Sequence, residues 1–272
     1  MLKGNAFHSS IIKKQQQNRE AFIEHSNATT LIKKRENLWC YFNWFYFNLD
    51  PQNNMELILS KCEDGSNKVR SFPPEKVRVD RLFINFLFGE ENTYDQIICG
   101  NYIQAANLVR QELEILASMR EESKNANRKK PPNIRPTDKL NIFYGTLSEA
   151  AHVRNEKLRH AIGTKDFKRT PTGVSLTPPF DINMSVALLN LHLLISNQLL
   201  LDFIKNAQKL YSEIINNKKI IENIKMFEKE LSDDYEESTQ NLNILIEKIN
   251  DNRTSFDKQW DAICNFFDSN HS

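Results

Sequence analysis

The sequence predicts an all-α protein built as a helical bundle, and three observations support this class. Only 7 glycines and 9 prolines are present among 272 residues, so long stretches at both ends have nothing to interrupt a helix. Apolar residues recur at helical spacing along most of the chain. A composition of 40% hydrophobic and 26% charged residues is that of a chain with a folded core, which excludes a mainly disordered protein.

The N-terminal part is predicted to consist of aromatic-rich helices. Residues 9–49 favour helix up to Asp50-Pro51, and seven aromatic side chains crowd positions 39–49, which indicates a helix buried on nearly all sides. A short helix at 55–62 and a turn at 63–66 follow. Pro73-Pro74 then begins a helix that ends near Gly89.

The centre of the chain holds the clearest helical pattern. One apolar stripe lies between about residues 94 and 123 and is formed by Tyr102, Ala106, Val109, Leu113, Leu116 and Met119. A basic, proline-containing linker at 124–136 separates it from a helix at 140–162, which Thr137 and Asp138 can cap. A loop at 164–179 follows, with at most a short strand near 173–176.

The C-terminal part is predicted to be a very apolar helix followed by two long charged helices. Asp181 caps the apolar helix, which reaches about Ile204, and the charged helices lie near 205–230 and 235–267. Polar residues within the apolar helix would be costly in a membrane, so we expect no span, and His192 is interpreted as a core histidine. The predicted units are N-terminal helices at 1–93, a core bundle at 94–206 and acidic C-terminal helices at 207–272.

The cysteines and the N-terminus favour a reduced, cytoplasmic protein. The four cysteines, at positions 40, 62, 99 and 264, form no Cys-x-x-Cys pair. Residues 1–10 lack the apolar stretch of a signal peptide. The sequence contains no P-loop, nucleotide-binding glycine motif or nucleophile-elbow motif, and we expect no cofactor.

Charge is distributed unevenly, although the net charge is only +1. Residues 124–169 contain twelve basic and four acidic residues, whereas the chain from Asp202 onward contains fourteen acidic and nine basic residues. The basic middle can form a phosphate-binding surface, or the acidic tail can neutralise it within one bundle. The sequence leaves both alternatives open.

Arg154 falls on the apolar stripe of the predicted helix at 140–162, where a buried guanidinium needs a partner. Glu112 or Glu114 on the preceding helix is the predicted partner, and Arg110 is spaced to form an i, i+4 pair with Glu114. The alternative is an arginine that reaches solvent from the rim of the bundle.

Arg154 is followed by Asn155 and, after four further residues, by His160. This Arg-Asn-x4-His motif resembles the signature of the HEPN superfamily, helical bundles that include metal-independent ribonucleases of toxin and phage-defence systems. The resemblance implies that His160 acts in proton transfer at the scissile 2′-hydroxyl or leaving oxygen, that Arg154 holds the phosphate and that Asn155 orients the pair. It also implies a homodimer, because sites of this superfamily commonly form at a homodimer interface.

A second pattern overlaps the first. Tyr-x-x-Leu-Ser-x-x-x-His at 144–152, after a helix that bears Arg110 and Glu114, resembles a group of bacterial helical proteins of unassigned activity. This resemblance covers about residues 100–201 and implies a polar centre of His152, Arg110 and Glu114. Val153 stands where that group often has a proline.

One Glu-x-x-His spacing, Glu149 to His152, is of the kind that binds iron in helical bundles. A di-metal site needs two such motifs, and no other histidine in the sequence has a glutamate three residues before it. We therefore predict no metal site.

The sequence leads to two functional hypotheses. The first is a metal-independent endoribonuclease of a bacterial toxin–antitoxin or antiviral defence system, which binds RNA as a homodimer and has a cognate protein partner. Its catalytic residues are Arg154, Asn155 and His160. The second is a non-catalytic helical protein that binds a partner or senses a ligand.

Overall fold

Helices make up almost all of the described chain. The computed structural model describes residues 3–49, 59–69, 71–122, 135–151, 180–211, 218–240, 242–252 and 255–269. The predicted all-α class is confirmed. The helices are α1 (Lys3–Ile23), α2 (Ala28–Leu49), α3 (Pro74–Ile98), α4 (Tyr102–Glu122), α5 (Asn141–Ala151), α6 (Ile182–Tyr211), α7 (Lys218–Thr239), α8 (Leu242–Asp251) and α9 (Phe256–Ser269).

Helix α6 is the centre of the bundle. It packs against α1, α2, α3, α4, α7 and α9, and every residue from 184 to 201 is buried. Asp181 caps it as predicted, because its Oδ1 accepts hydrogen bonds from the backbone N–H groups of Asn183 and Met184, at 3.1 and 3.3 Å. The Asp181 carboxylate therefore binds two N–H groups in the first turn of the central helix.

Helix α6 is longer than predicted, since it continues to Tyr211 rather than ending near Ile204. By length and composition, Ile182–Gln208 is the one stretch of the described chain that is apolar enough to cross a membrane, and 94% of its apolar window is buried inside the bundle. The core helix of a large bundle has the same composition, so this stretch is weak support for a membrane span.

The apolar stripe of α4 is confirmed. Its six predicted residues are at most 2% exposed: Tyr102, Ala106, Val109, Leu113, Leu116 and Met119. They belong to one hydrophobic cluster that reaches from Phe22 in α1 to Phe267 in α9. The N-terminal, central and C-terminal helices therefore share a single core.

The boundary between α3 and α4 differs from the prediction. The first helix was expected to end near Gly89, but α3 continues to Ile98. The chain turns instead at Gly100, whose φ of 79° lies in the left-handed region that glycine adopts without strain. A glycine inside a helix costs only about 1 kcal/mol relative to alanine. Gly89 is tolerated because Phe86 and Thr93, on the adjacent turns, are buried.

The prediction of a short helix at 55–62 is wrong for the residues of this segment that the structure describes. Leu59–Lys61 forms strand β1, which pairs antiparallel with strand β2, Asn67–Val69. The turn predicted at 63–66 connects the two strands, and Gly65 has a φ of 81°. Asp64-Gly65 is a typical dipeptide of β-hairpin turns. The apolar pattern at 55–62 is too short to distinguish a helix from a strand, so the turn residues are the better guide to the hairpin.

The aromatic segment of α2 is buried on one side only, so the expected burial on nearly all sides is wrong. Phe42 and Phe45 are each 2% exposed, and the ring of Phe45 lies edge-on to Phe203 of α6, with centroids 5.6 Å apart. Tyr46 and Phe47 are 52% and 64% exposed. A helix turns about 100° per residue, so consecutive aromatic residues cannot all face one core.

The C-terminal part is helical as predicted but is divided differently. In place of two long helices, the described residues from 218 onward form α7, α8 and α9, with breaks near Gln240 and Asn252. The backbone oxygen of Ser255 accepts a hydrogen bond from Gln259 N–H at 3.1 Å, which begins α9. The charged pattern alone did not reveal these breaks.

The segment between α4 and α5 is described only at its end. Arg135–Leu140 forms a 3-10 helix that leads directly into α5. Thr137 and Asp138, which were expected to cap an α-helix, lie inside this 3-10 helix instead. Of the linker predicted at 124–136, Arg135 and Pro136 belong to the 3-10 helix and the rest lies outside the described residues. The loop predicted at 164–179, with its strand near 173–176, also lies outside the described residues.

Candidate functional site

A polar cluster lies where α4 and α5 pack together. Arg110 and Glu114 are one turn apart on α4, and Arg110 Nε lies 3.7 Å from Glu114 Oε1, which confirms the predicted i, i+4 pair. The hydroxyl of Tyr144 on α5 donates to the same Oε1 at 3.0 Å. The Arg110 and Glu114 side chains are 23% and 34% exposed, so the cluster is open to solvent. We call Arg110, Glu114 and Tyr144 the α4–α5 polar cluster, and Ser148 lies one turn after Tyr144 on α5.

One atom of the α4–α5 polar cluster and one atom a turn further along α5 have no hydrogen-bond partner within the described residues. They are the buried Nε of Arg110 and the buried Oγ of Ser148. Buried polar atoms in folded proteins are nearly always hydrogen-bonded, so each of these unbonded atoms is unusual. A guanidinium N–H and a hydroxyl are donors that can bind the oxygens of an anionic group such as a phosphate.

The structure brings together only part of the predicted site. Arg110 and Glu114 are in contact, as described above. Ala151 is the last described residue of α5, and the other predicted site residues follow it in the sequence and lie outside the described residues: His152, Arg154, Asn155 and His160. No contact between these four residues and the α4–α5 polar cluster is therefore described.

Glu112, the other predicted partner of Arg154, belongs to a buried network that the sequence did not predict. Its Oε2 lies 2.8 Å from Nδ1 of His192 in α6, and its Oε1 accepts a hydrogen bond from the Thr93 hydroxyl at 2.7 Å. The second imidazole nitrogen, Nε2, lies 3.4 Å from Oε1 of Glu90 in α3. The His192 side chain is fully buried, and the two glutamate side chains are at most 5% exposed.

Arg35 of α2 extends the network. Its Nε and Nη2 donate to the two carboxylate oxygens of Glu90, at 2.8 and 2.9 Å, in a bidentate pair. It also contacts Glu91, and its guanidinium lies 4.0 Å from the centre of the Tyr94 ring. The buried carboxylates are thus balanced by cationic groups from two other helices.

The network favours the charged forms of His192 and Glu90. Burial alone would lower the pKa of His192, but the carboxylates of Glu112 and Glu90 raise this pKa above its ordinary value. Burial alone would raise the pKa of Glu90, but hydrogen bonds from His192 and Arg35 hold it below its ordinary value. The imidazolium can donate both ring N–H groups to carboxylates, so His192 is a hydrogen-bonded core histidine, as expected.

The network connects helices and does not form an open site. Helices α2, α3, α4 and α6 each contribute a charged member, and the imidazole at its centre is inaccessible to solvent. Sequence reasoning missed it because its members are 80 and 102 residues apart. The available signs were the histidine at position 192 on the apolar helix and a carboxylate at position 112, between the stripe residues Val109 and Leu116.

No group of three or more His, Cys, Asp or Glu side chains that could hold a metal ion is found in the described ranges. The four cysteines are free thiols. Comparison of the chain with protein-family models, with curated proteins and with solved structures found no match. The functional proposals therefore rest on the residues and contacts of this chain.

Proposed function

We propose that this chain is a metal-independent endoribonuclease of a bacterial toxin or phage-defence system and that it acts as a homodimer. In this proposal His160 transfers a proton at the scissile linkage, Arg154 holds the phosphate and Asn155 orients the pair, as the HEPN resemblance implies. The observation that carries the proposal is the α4–α5 polar cluster, a partly exposed group whose Tyr144 lies on α5, the helix that precedes the Arg-Asn-x4-His motif in the sequence.

The α4–α5 polar cluster supplies groups that suit an RNA substrate. Arg110 offers a positive charge and an N–H donor that is unbonded in the described chain, which suits a phosphate oxygen. Glu114 holds the guanidinium, and the Tyr144 hydroxyl in turn holds Glu114. His152, from the second resemblance, is a further candidate for proton transfer in the same site.

Local charge also favours a polyanionic substrate. The segment that contains the motif, residues 124–169, has twelve basic residues against four acidic ones, although the whole chain is nearly neutral. Phosphate contacts from lysine and arginine supply much of the affinity of proteins for nucleic acids. A basic segment next to the α4–α5 polar cluster in sequence is what an RNA-binding surface requires.

The proposal is tested by incubating the purified chain with labelled single-stranded RNA in the presence of EDTA. We expect cleavage that EDTA does not reduce, since no step uses a metal ion. Cleavage that requires a divalent metal would contradict the proposal. RNA that is bound but never cut would also contradict it, and would favour the non-catalytic partner-binding or ligand-sensing function.

The role of the α4–α5 polar cluster is tested with Arg110→Ala. We expect RNA cleavage to fall at least about tenfold, because a phosphate contact is lost, and Arg110→Lys to restore part of the activity. Arg81→Ala is the matched control, since Arg81 is exposed on α3 and is not part of the cluster. An equal loss in both alanine variants would show a general charge effect and would remove Arg110 from the site.

A further inference from the structure

A cleft of about 590 Å³ lies between α2, α6 and α7. It shares no residue with the α4–α5 polar cluster or with the buried histidine network. Its volume falls within the usual range of small-molecule sites in proteins. Residues of α2, α6 and α7 line it at one-turn spacing, and Phe267 of α9 also contributes to the lining.

The wall that α7 contributes to the cleft is acidic. Glu230, Asp234 and Glu237 occupy positions i, i+4 and i+7, so their carboxylates follow one face of the helix over about 10 Å. Lys34 of α2 is the single cationic residue among the described lining residues, and its Nζ lies 3.8 Å from Asp234 Oδ1. The lining therefore keeps an excess of negative charge after this ion pair is counted.

A buried amide oxygen in the lining lacks a donor. Asn197 of α6 is 3% exposed and lines the cleft. Its Nδ2 donates a hydrogen bond to Asp234 Oδ2 at 2.9 Å. An ionised carboxylate can only accept hydrogen bonds, so the NH2 end of the amide must face Asp234 and the oxygen must face away. Its Oδ1 has no hydrogen-bond partner in the described chain. Such an atom is unusual in a native fold and points to a donor supplied from outside.

The cleft also offers apolar surface. Leu193 and Leu194 of α6 and Phe267 of α9 line it beside the acidic wall. Tyr41 of α2 donates its hydroxyl hydrogen to Glu230 Oε2 at 2.8 Å, which holds that carboxylate at the cleft. A ligand that fits must therefore combine cationic groups with aliphatic segments.

The spacing of the acidic residues favours an extended cation over a single ion. Side chains at i, i+4 and i+7 follow the axis of α7, and no group of metal-binding side chains is found here or elsewhere in the described residues. An extended molecule with repeated charges can pair with successive carboxylates along the helix, whereas a compact ion cannot reach all three.

We infer that this cleft binds a linear aliphatic di- or polyamine. Its ammonium groups pair with Glu230, Asp234 and Glu237, and its methylene segments lie on the leucines of α6. One ammonium N–H donates to Oδ1 of Asn197. Because this oxygen is buried in the unliganded chain, the Asn197 side chain must shift when the amine binds. The site is independent of the proposed RNA cleavage.

The inference is tested by isothermal titration of the full chain with spermidine, at constant ionic strength and without RNA. We expect saturable binding, and we expect Asp234→Asn/Glu237→Gln to raise Kd at least about tenfold. The matched control is Asp233→Asn/Glu236→Gln, which removes the same charge from exposed neighbours on α7 that do not line the cleft. We expect the control to leave Kd unchanged.

Asp234 also contacts Lys34 and Asn197, so Glu237→Gln alone is a second variant that keeps those contacts. It must also weaken binding while circular dichroism remains that of the wild type. The inference would be overturned if spermidine did not bind, or if the control double variant weakened binding as much as Asp234→Asn/Glu237→Gln. It would also be overturned if Mg²⁺ at an equivalent concentration of charge displaced the spermidine. Binding of a lysine-rich peptide but not of spermidine would overturn it as well.

Discussion

His192 of α6 and Glu112 of α4 are 80 residues apart in the sequence, yet Nδ1 of the imidazole lies 2.8 Å from Oε2 of the carboxylate in the interior of the bundle. Glu90 approaches the other side of the same ring from α3, and Arg35 of α2 binds Glu90. Four helices around the core are thus connected by charges, and removal of one member leaves another buried without its partner.

His192→Ala should destabilise the fold by about 3–5 kcal/mol, because Glu112 loses its cation and a cavity opens in α6. Urea unfolding followed by circular dichroism measures the free energy of unfolding. His8→Ala, at an exposed position on α1, is the control and should change it by less than about 0.5 kcal/mol. A loss below about 1 kcal/mol for His192→Ala would show that the network contributes little.

Stability should fall as the pH rises above neutrality. The carboxylates around His192 outweigh the effect of burial and raise its pKa from 6.5 to about 9. A pKa that is raised in the folded state contributes stability that is complete below about pH 6.5 and is lost as the pH rises through about 9. Urea unfolding across this range measures the loss. His192→Phe removes the titrating group and should flatten the profile, and an unchanged slope in that variant would contradict the assignment.

Asp181→Ala should lower the free energy of unfolding by about 1 kcal/mol, because the first N–H groups of α6 lose their acceptor. Serine is also a good N-cap, so Asp181→Ser should recover most of the loss. Thermal unfolding of the three proteins gives the comparison. If the serine and alanine variants have the same unfolding temperature, the Asp181 side chain does not stabilise the start of α6.

Phe86→Ala should lower the free energy of unfolding by about 3–5 kcal/mol, and Phe88→Ala should lower it by less than about 0.5 kcal/mol. The two residues lie on the same helix, α3, but Phe86 is 1% exposed and Phe88 is 82% exposed. Urea unfolding of both variants measures the difference. Similar costs at the two positions would show that the face of α3 in the core is assigned incorrectly.

The sequence predicted features that depend on local patterns. The stripe of α4 follows from the 3.6-residue repeat, the Asp181 cap from its place before an apolar run, and the Arg110–Glu114 pair from helical spacing. These features need no knowledge of the rest of the fold.

Features that depend on distant parts of the chain were missed. The buried network needs α3, α4 and α6 to pack together before Glu90, Glu112 and His192 meet. The cleft likewise needs α2 and α7 to pack beside each other on α6 before their side chains meet. The error at Gly89 has the same origin, because burial of the adjacent turns outweighs the local cost of glycine.

The most direct test of the proposed ribonuclease is the RNA cleavage rate of His160→Ala beside that of the wild type, with EDTA present. Loss of proton transfer should lower the rate by about two to four orders of magnitude, with the circular dichroism spectrum unchanged. Arg154→Ala should behave in the same way. His25→Ala is the control: His25 also lies six residues after an arginine, Arg19, but Glu20 stands in place of the asparagine, so this variant should retain full activity. Cleavage that survives His160→Ala would contradict the proposed mechanism.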